Sequence, residues 1–469
     1  MKIKNFILRK KFFLITVFIF IFIKVHSQKE GNIWYFGGQA GLDFNSSTPL
    51  ALTNGTLFSY DCSAATADIN GSILFYTNGM EVWNSNHVTM SNGSGLLGSN
   101  NGGQVALIVP QPNSLFYYIF TVDQFAGTNG FRYHIVDMSQ NGGLGAVTSK
   151  NNLLFSPSTE RIDAVYNCFD NSYWVVTHEW NSDKFNSYKI TSSGLITTPV
   201  SSLVGAIHSG GATGVYNSLG QLTISPLGNK LVCGIYSMGF FQLFDFDIST
   251  GIISNPLTIS GYSNAWGAAF SPDGTRLYIT QWFGTNIIQF DLTAGSISAI
   301  MASATVVGIV SGPGTSGYYV GYLQLAPDNK IYAAVYDDQY IAVINNPDTL
   351  GLNCNFVDTG AYLGGKQCKA GLCRTIPICE TTGIENYQFE NSISVYPVPS
   401  GDFIHVGFPK ANSYGFYIVR DATGRIIVSG IIAALKNSLE VDIQTLTAGI
   451  YFLEIKFQEK YLCEKFVKM

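Results

Sequence analysis

Ser271-Pro272-Asp273-Gly274-Thr275-Arg276-Leu277-Tyr278-Ile279 reads as a tight turn followed by a strand. Proline presets φ for the turn, glycine accepts a positive φ, and the residues behind them are aromatic or branched types that suit a pleated surface. The arrangement returns at Ser225-Pro226-Leu227-Gly228 before Leu231-Val232-Cys233, and at Ala326-Pro327-Asp328-Asn329 before Ile331-Tyr332-Ala333. Looser versions precede these: Asn70-Gly71 before Ile73-Leu74-Phe75-Tyr76, Pro112-Asn113 before Phe116-Tyr117-Tyr118-Ile119, and Asp170-Asn171 before Tyr173-Trp174-Val175-Val176. Counted from Gly71, Asn113, Asn171, Gly228, Gly274 and Asn329, the steps are 42, 58, 57, 46 and 55 residues. Each step has room for about four strands, the size of one propeller blade.

The strand after each turn alternates or runs apolar, as expected of a strand covered on both faces by neighbouring blades. A further strand often ends in a polar hairpin, as in Phe241-Gln-Leu-Phe-Asp-Phe-Asp247, Asn286-Ile-Ile-Gln-Phe-Asp291 and Tyr340-Ile-Ala-Val-Ile-Asn345. No such turn precedes Asn32-Ile-Trp-Tyr-Phe36, Gly41-Leu-Asp-Phe44 and Pro49-Leu-Ala-Leu52. These are expected to be the later strands of one more blade, its innermost strand coming from residues 371–378. Closing the ring with both chain ends removes the open edges that otherwise aggregate. The expected fold is therefore all-β: a seven-bladed β-propeller, with six or eight blades as alternatives, followed by a small antiparallel β-sandwich.

Composition agrees. Only 12% of the residues are charged, against about 25% in ordinary soluble domains, while 32 Phe, 26 Tyr and 49 Gly supply strand formers and turn formers. The formal charge of −5 conceals an asymmetry, because residues 1–27 hold six basic residues and no acid. The remaining chain carries 20 basic against 31 acidic residues, so nothing is available to neutralise a nucleic-acid backbone.

The basic cluster Arg9-Lys10-Lys11 stands directly before twelve residues, 12–23, that are apolar except Thr16. That is short of the roughly 20 residues a membrane span takes. With Val25-His26-Ser27 ahead of Gln28, residues 1–27 read as a signal peptide, the alternative being an uncleaved anchor. The propeller is expected over 28–379, a polar linker over 380–391, and the sandwich over 392–469. Short strands resume there at 394–396, 402–406, 415–420, 425–429, 439–443, 449–455 and 463–467.

Eight cysteines occur, four of them (Cys354, Cys368, Cys373 and Cys379) within 26 residues beside the expected ring closure. In an exported chain two disulfides among these four are expected, in any of three connectivities. Free thiols or a zinc cluster are the alternatives, but no Cys-x-x-Cys pair or nearby histidine supports the metal. Cys62, Cys168, Cys233 and Cys463 are expected as small apolar residues. His178-Glu179 is the one pair suggestive of acid–base chemistry, yet adjacent strand residues face opposite ways, so a structural histidine is expected. Asp337-Asp338, Asp245 and Asp247 lack the spacing of a glycosidase pair. No nucleophile elbow, calcium loop or phosphate-binding loop occurs. The Gly/Asn/Ser-rich stretch 93–103 is expected as a long loop. No catalytic residue, metal or cofactor is predicted.

Two resemblances add to this reading. The Ser-Pro-Asp-Gly turns resemble those of TolB-like, YncE-like and WD-type propellers. Trp34-Tyr-Phe-Gly-Gly-Gln-Ala-Gly-Leu-Asp-Phe44, Leu74-Phe-Tyr-Thr-Asn-Gly-Met-Glu-Val-Trp-Asn84 and Tyr173-Trp-Val-Val-Thr-His-Glu179 resemble propeller regions of large exported Bacteroidetes proteins. Tyr396-Pro397-Val398-Pro399, Asp421-Ala-Thr-Gly424-Arg425, Leu446-Thr-Ala-Gly449-Ile450-Tyr451 and Lys465-Phe466-Val-Lys468 resemble the type A sorting domain of the type IX secretion system, which usually has Asn where this chain has Val398. That resemblance implies passage through the periplasm, recognition by the type IX machinery, and delivery to the medium or the outer cell surface. In that family the sandwich is commonly cleaved, and the cargo is released or attached to surface lipopolysaccharide. The expected role is a non-enzymatic protein- or glycan-binding module; a polysaccharide hydrolase or lyase, or a structural spacer, are the alternatives.

Overall fold

A computed structural model describes residues 29–311, 319–376, 393–408, 415–421, 426–457 and 460–469. The expected signal peptide and linker, Cys379, Gly424 and Arg425 fall outside those residues.

Between residues 33 and 362 the chain forms a succession of antiparallel meanders. The first has three strands, Ile33–Phe36, Ala40–Asp43 and Leu50–Leu52. Four-strand meanders follow over 63–94, 106–155, 158–208, 222–260, 265–309 and 320–362. A single bridge between Ser91 and Ala146 joins the outer strands of two of them into one hydrogen-bonded sheet.

Burial falls from the first strand of a meander to its last. Ser63–Ala67 and Ala265–Phe270 are buried at every residue, and Ser158–Asn167 at all but one. The outer strands Gly194–His208, Ile252–Ser260 and Phe356–Tyr362 are mostly exposed or half-buried. Inner strands thus lie next to the axis of a ring and outer strands at its circumference, the geometry of a propeller.

The six turns found by spacing all connect the first strand of a four-strand meander to its second. Gly71, Asn113, Asn171, Gly228, Gly274 and Asn329 all adopt positive φ. At the turn beginning at Ser271, the Gly274 amide donates to the Ser271 carbonyl at 2.9 Å, and the Ser271 hydroxyl accepts from the Arg276 amide at 2.9 Å. The local conformation is what Gly and Asn tolerate best, so these residues punctuate the fold.

The ring closes where the first meander meets the last. Trp34 and Phe44 pack their rings on Tyr332, with centroids 5.7 and 5.4 Å apart, inside one core that also holds Phe36, Ile341 and Val343. Burying a side chain of this size stabilises by roughly 1.5–3 kcal/mol. Residues 367–374 then thread between the two. The Gly38 amide donates to the Gln367 carbonyl at 2.8 Å, the Tyr322 amide to the Ala370 carbonyl at 2.9 Å, and the Ala370 amide to the Tyr60 carbonyl at 2.9 Å. Gly321 makes this possible, because a Cβ there would run into the Ala370 carbonyl.

The expected innermost strand is corrected in one respect. Cys373–Arg374 pairs in parallel with Ser63 and Ala64, the inner strand of the second meander, instead of completing the three-strand meander. The side chain of Arg374 accounts for the deviation: it is drawn to Asp163 and Gln324 near the axis, and the backbone follows.

The C-terminal residues form a separate sandwich. Ser394–Tyr396, Phe403–Gly407 and Ser438–Asp442 make one sheet; Ile426–Ile432, Gly415–Asp421, Gly449–Phe457 and Lys460–Lys468 make the other, in that order. Ile404, Val406 and Val441 from the first face Val419, Leu453 and Phe466 from the second across a shared core. All seven expected strands are present.

Candidate ligand-binding mouth

Because every first-to-second-strand turn lies at one end of the ring, the connections between meanders and the second-to-third-strand turns gather at the other. Aromatic residues are concentrated there. Trp282 and Phe283 open the turn after Arg276–Gln281, Tyr336 the turn after Ile331–Val335, and Tyr236 the turn after Lys230–Ile235. Phe125 lies in the loop after Phe116–Val122, and Tyr216 in the connection that precedes Leu222–Ile224.

These rings touch in sequence across the mouth. Phe125 stacks on Tyr216 with centroids 5.9 Å apart, Tyr216 meets Tyr236 edge-on at 5.8 Å, and Tyr236 meets Trp266 at 5.8 Å. Trp266 lies between Tyr322, stacked at 4.8 Å, and Trp282, also at 4.8 Å. Trp282 continues to Tyr319 at 5.6 Å and Tyr336 at 5.7 Å, and Phe283 packs edge-on against Tyr319 at 4.9 Å. Lys369 places its ammonium 5.7 Å from the centre of the Tyr336 ring while pairing with Asp337. Phe283 is 59% exposed, and Phe125 and Tyr60 are exposed as well. Trp266, Tyr236 and Tyr322 form a buried floor beneath them.

Polar groups are set into that floor. Asp61 Oδ1, Trp266 Nε1 and the Tyr322 hydroxyl are buried without a protein hydrogen-bond partner. Each such group costs on the order of 1–3 kcal/mol unless something satisfies it. Burial, helped by the neighbouring Glu160 carboxylate, pushes the Asp61 carboxyl well above its usual range. Glu160 is held differently. Its two oxygens accept from the Gly103 amide at 2.6 Å and the Phe125 amide at 2.5 Å, fixing two mouth loops, and burial raises it to about 7 against the pull of those amides. The stretch 93–103 is thus a strand end, Thr89–Ser94, followed by a loop that Glu160 anchors. Arg161 is likewise buried, donating to the main-chain carbonyls of Asn217, Ser218, Leu219 and Gly234.

Further along the axis the ring is filled by side-chain amides. Gln104 exchanges two 2.8 Å hydrogen bonds with the Leu222 backbone, and Gln221 bridges Ala268 to Leu323. Asp163 accepts from the Ile224 amide at 2.8 Å and pairs with Arg374. A small cleft at the far end is lined by Pro226, Phe270, Leu325 and this ion pair. Among the described residues no group of three His, Cys, Asp or Glu is placed to hold a metal.

The residues that attracted notice in the sequence have local roles. His178 is fully buried and lies flat against His208, ring centres 3.7 Å apart, a partner 30 residues away that no motif announced. Burial lowers His178 to about 3 and His208 well below the ordinary imidazole range. Glu179 turns away to Lys184 at 2.8 Å. Asp245 pairs with Lys230 at 2.5 Å, Asp247 caps the turn at Ser249, and Asp338 caps the Tyr340 amide. The cysteine expectation is corrected. Cys354, Cys368 and Cys373 are buried free thiols, so no disulfide links them. They are separated because Cys354 belongs to the core of the last two meanders, whereas Cys368 and Cys373 line the core at the ring closure. Cys62 and Cys233 are buried and free as expected, while Cys463 is exposed and Cys168 is disulfide-bonded.

In the sandwich, the motif residues fall into two groups. Leu446, Tyr451 and Phe466 are buried, with Tyr451 stacked on Phe466 at 5.7 Å and its hydroxyl donating to the Thr447 carbonyl at 2.8 Å. Gly449 pairs with Lys468 across the last two strands, and Asp421 with Tyr451. Tyr396, Pro397, Pro399 and Lys465 are exposed. The two ends of this segment meet: the Ser400 amide donates to the Val467 carbonyl at 2.7 Å, and the Lys468 ammonium donates to the Gly401 carbonyl at 2.6 Å. Residues 394–469 match the secretion system C-terminal sorting domain. The chain is therefore exported through the type IX route and is secreted or held at the cell surface. Among the described residues no helix is long and apolar enough to cross a membrane.

No curated protein matches the chain. Solved structures similar to it include a protein of unknown function from Desulfotomaculum acetoxidans, 12% identical, covering 74% of this chain and 100% of that one with a TM-score of 0.42. A protein from Bacteroides fragilis, provisionally assigned as a 6-phosphogluconolactonase, is 14% identical over 78% of this chain and 93% of its own, with a TM-score of 0.39. A protein from Lactobacillus plantarum is 13% identical over 78% and 95%, with a TM-score of 0.36. Likeness at this level carries nothing about ligand or reaction.

Proposed function

We propose that this chain is a non-enzymatic binding module: an exported seven-bladed propeller whose aromatic mouth is its ligand face, with residues 392–469 as the export tag behind a linker at 380–391. The single observation that carries the reading is the unbroken run of ring contacts from Phe125 to Tyr336 across one end of the ring. Its exposed rings, Phe125 and Phe283, held by their neighbours over a buried floor, supply contact area at little entropic cost. The carboxylates at the mouth favour binding over hydrolysis. Glu160 spends both oxygens on backbone amides, and Asp61 beside it is buried as well, so neither carboxylate is open to a substrate.

The test pairs binding with turnover. The exported chain incubated with polysaccharides should release no new reducing ends or unsaturated products, while Phe283→Ala should weaken binding to whatever the parent chain retains. Product formation that Glu160→Gln abolishes would establish the hydrolase or lyase reading instead.

A further inference from the structure

We infer that the export machinery docks on one end of the sandwich, where its sorting motifs converge, through Tyr396, Val398, Phe403, Ile450 and Met469. The inference rests on residues 392–469 being the export tag and adds which surface of the tag is read.

Strand register brings the motifs together. Ser394–Tyr396 leaves its sheet at Tyr396, opposite His405, and Phe403 lies opposite Asp442. In the other sheet Gly449 lies opposite Lys468, and Asp421 opposite Tyr451. The contacts of Ser400 with Val467 and Lys468 join the two sheets at this same end. Motif segments far apart in sequence thus share one end of the module. The ring is held at the other. The chain enters the sandwich at Ser394, opposite Gly407, and Phe416, next to Gly415 opposite Phe457, packs edge-on against Phe169 of the ring at 4.9 Å. The motif end is left clear for a partner.

Polar groups at that end are largely satisfied from within. Lys468 donates to the Gly401 carbonyl and pairs with Asp402 at 3.6 Å. The Ser400 hydroxyl donates to the Pro397 carbonyl at 2.6 Å, and Asp442 accepts from the Gln444 amide at 2.9 Å. Much of what faces out is apolar: Tyr396, Val398, Phe403, Ile450 and Met469 are between 46% and 74% exposed. The chain turns from Tyr396 through Val398 to Phe403, the Met469 amide donates to the Ser400 carbonyl inside that turn at 3.1 Å, and Ile450 lies opposite Val467. An apolar patch in water is unfavourable until a complementary surface covers it. Because residues 394–469 are a sorting domain, the occupant is the protein surface of the machinery that sorts it.

Export of the full chain from a bacterium carrying a type IX system tests this, read as the fraction reaching the medium or the cell surface. Phe403→Ser and Ile450→Ser, one from each sheet, should each lower that fraction about tenfold, as loss of an apolar anchor does. Ile431→Ser and Leu435→Ser, comparably exposed toward the opposite end, should be exported like the parent. Both motif-end variants should melt with the parent; retention confined to destabilised variants would overturn the docking surface. Parent-like export of both, or equal retention of the opposite-end pair, would overturn it as well. So would a dimer of the purified parent chain that Phe403→Ser separates into monomers, since a second copy would then cover the patch. A chain lacking residues 393–469 should stay inside the cell, and its export would overturn the tag reading itself.

Discussion

Arg374 and Asp163, 211 residues apart in sequence, form an ion pair near the axis of the ring, with side chains only 4% and 5% exposed. The guanidinium also donates to the Gln324 side chain at 2.8 Å, so a residue at the end of the ring-closing segment links two inner strands from separate meanders. A charge pair this deep contributes less net stability than its geometry suggests, because both ions give up hydration. What it fixes is where the closing segment sits.

Removing one partner leaves the other charge stranded. Arg374→Ala and Asp163→Ala should each cost about 3–5 kcal/mol in denaturant unfolding. The double substitution should cost distinctly less than the sum. Additive losses would mean that the two groups do not depend on each other.

The stacked histidines predict acid sensitivity. Both are neutral when folded, with pKa values depressed below the ordinary value of about 6.5. Their contribution is therefore present above that value and is lost as pH falls toward the folded pKa, because the unfolded chain takes up protons first. Each histidine contributes up to about 1.4 kcal/mol of lost stability per pH unit in that window. Thermal melts of His208→Phe between pH 7 and 4 should show a shallower decline than the parent chain.

Glu160 works in the opposite sense. Its folded pKa of about 7 lies above the 4.5 of an ordinary glutamate, so its proton is held more tightly in the folded state. The stability this confers is present below about 4.5 and is lost as pH rises through about 7. Substitution by Gln should flatten that part of the pH–stability curve, and the His208→Phe background should leave it intact.

Cys354, Cys368 and Cys373 should resist alkylation in the folded chain and react on unfolding without any reductant, since all three are buried thiols. Burial raises Cys368 and Cys373 to about 12, which suppresses the reactive thiolate. Mass spectrometry of the alkylated peptides reads the result directly.

Much of the ring was legible in advance because its punctuation is local. A positive φ demands Gly or Asn whatever the rest of the chain does, so the positions of Gly71, Asn113, Asn171, Gly228, Gly274 and Asn329 could be counted along the sequence. The sandwich was legible for the same reason, with alternation and turn residues marking all seven strands. The mouth was not. Its rings come from five or more loops, and nothing in the neighbourhood of Tyr216 or Phe283 marks them as belonging together. Arg374 was missed likewise: its partner is fixed only once the ring has closed. The cysteines misled because nearness in sequence was read as nearness in space, and the turns between them send Cys354 into a different core from Cys368.

Hydroxyl-radical footprinting of the exported chain, with and without a mixture of oligosaccharides and peptides, tests the central claim most directly. Oxidation of Phe125, Trp282, Phe283 and Tyr336 should fall on ligand addition, while the turns around Pro226 and Pro272 stay unchanged. Protection at those turns, with the aromatic end oxidised as before, would contradict the account.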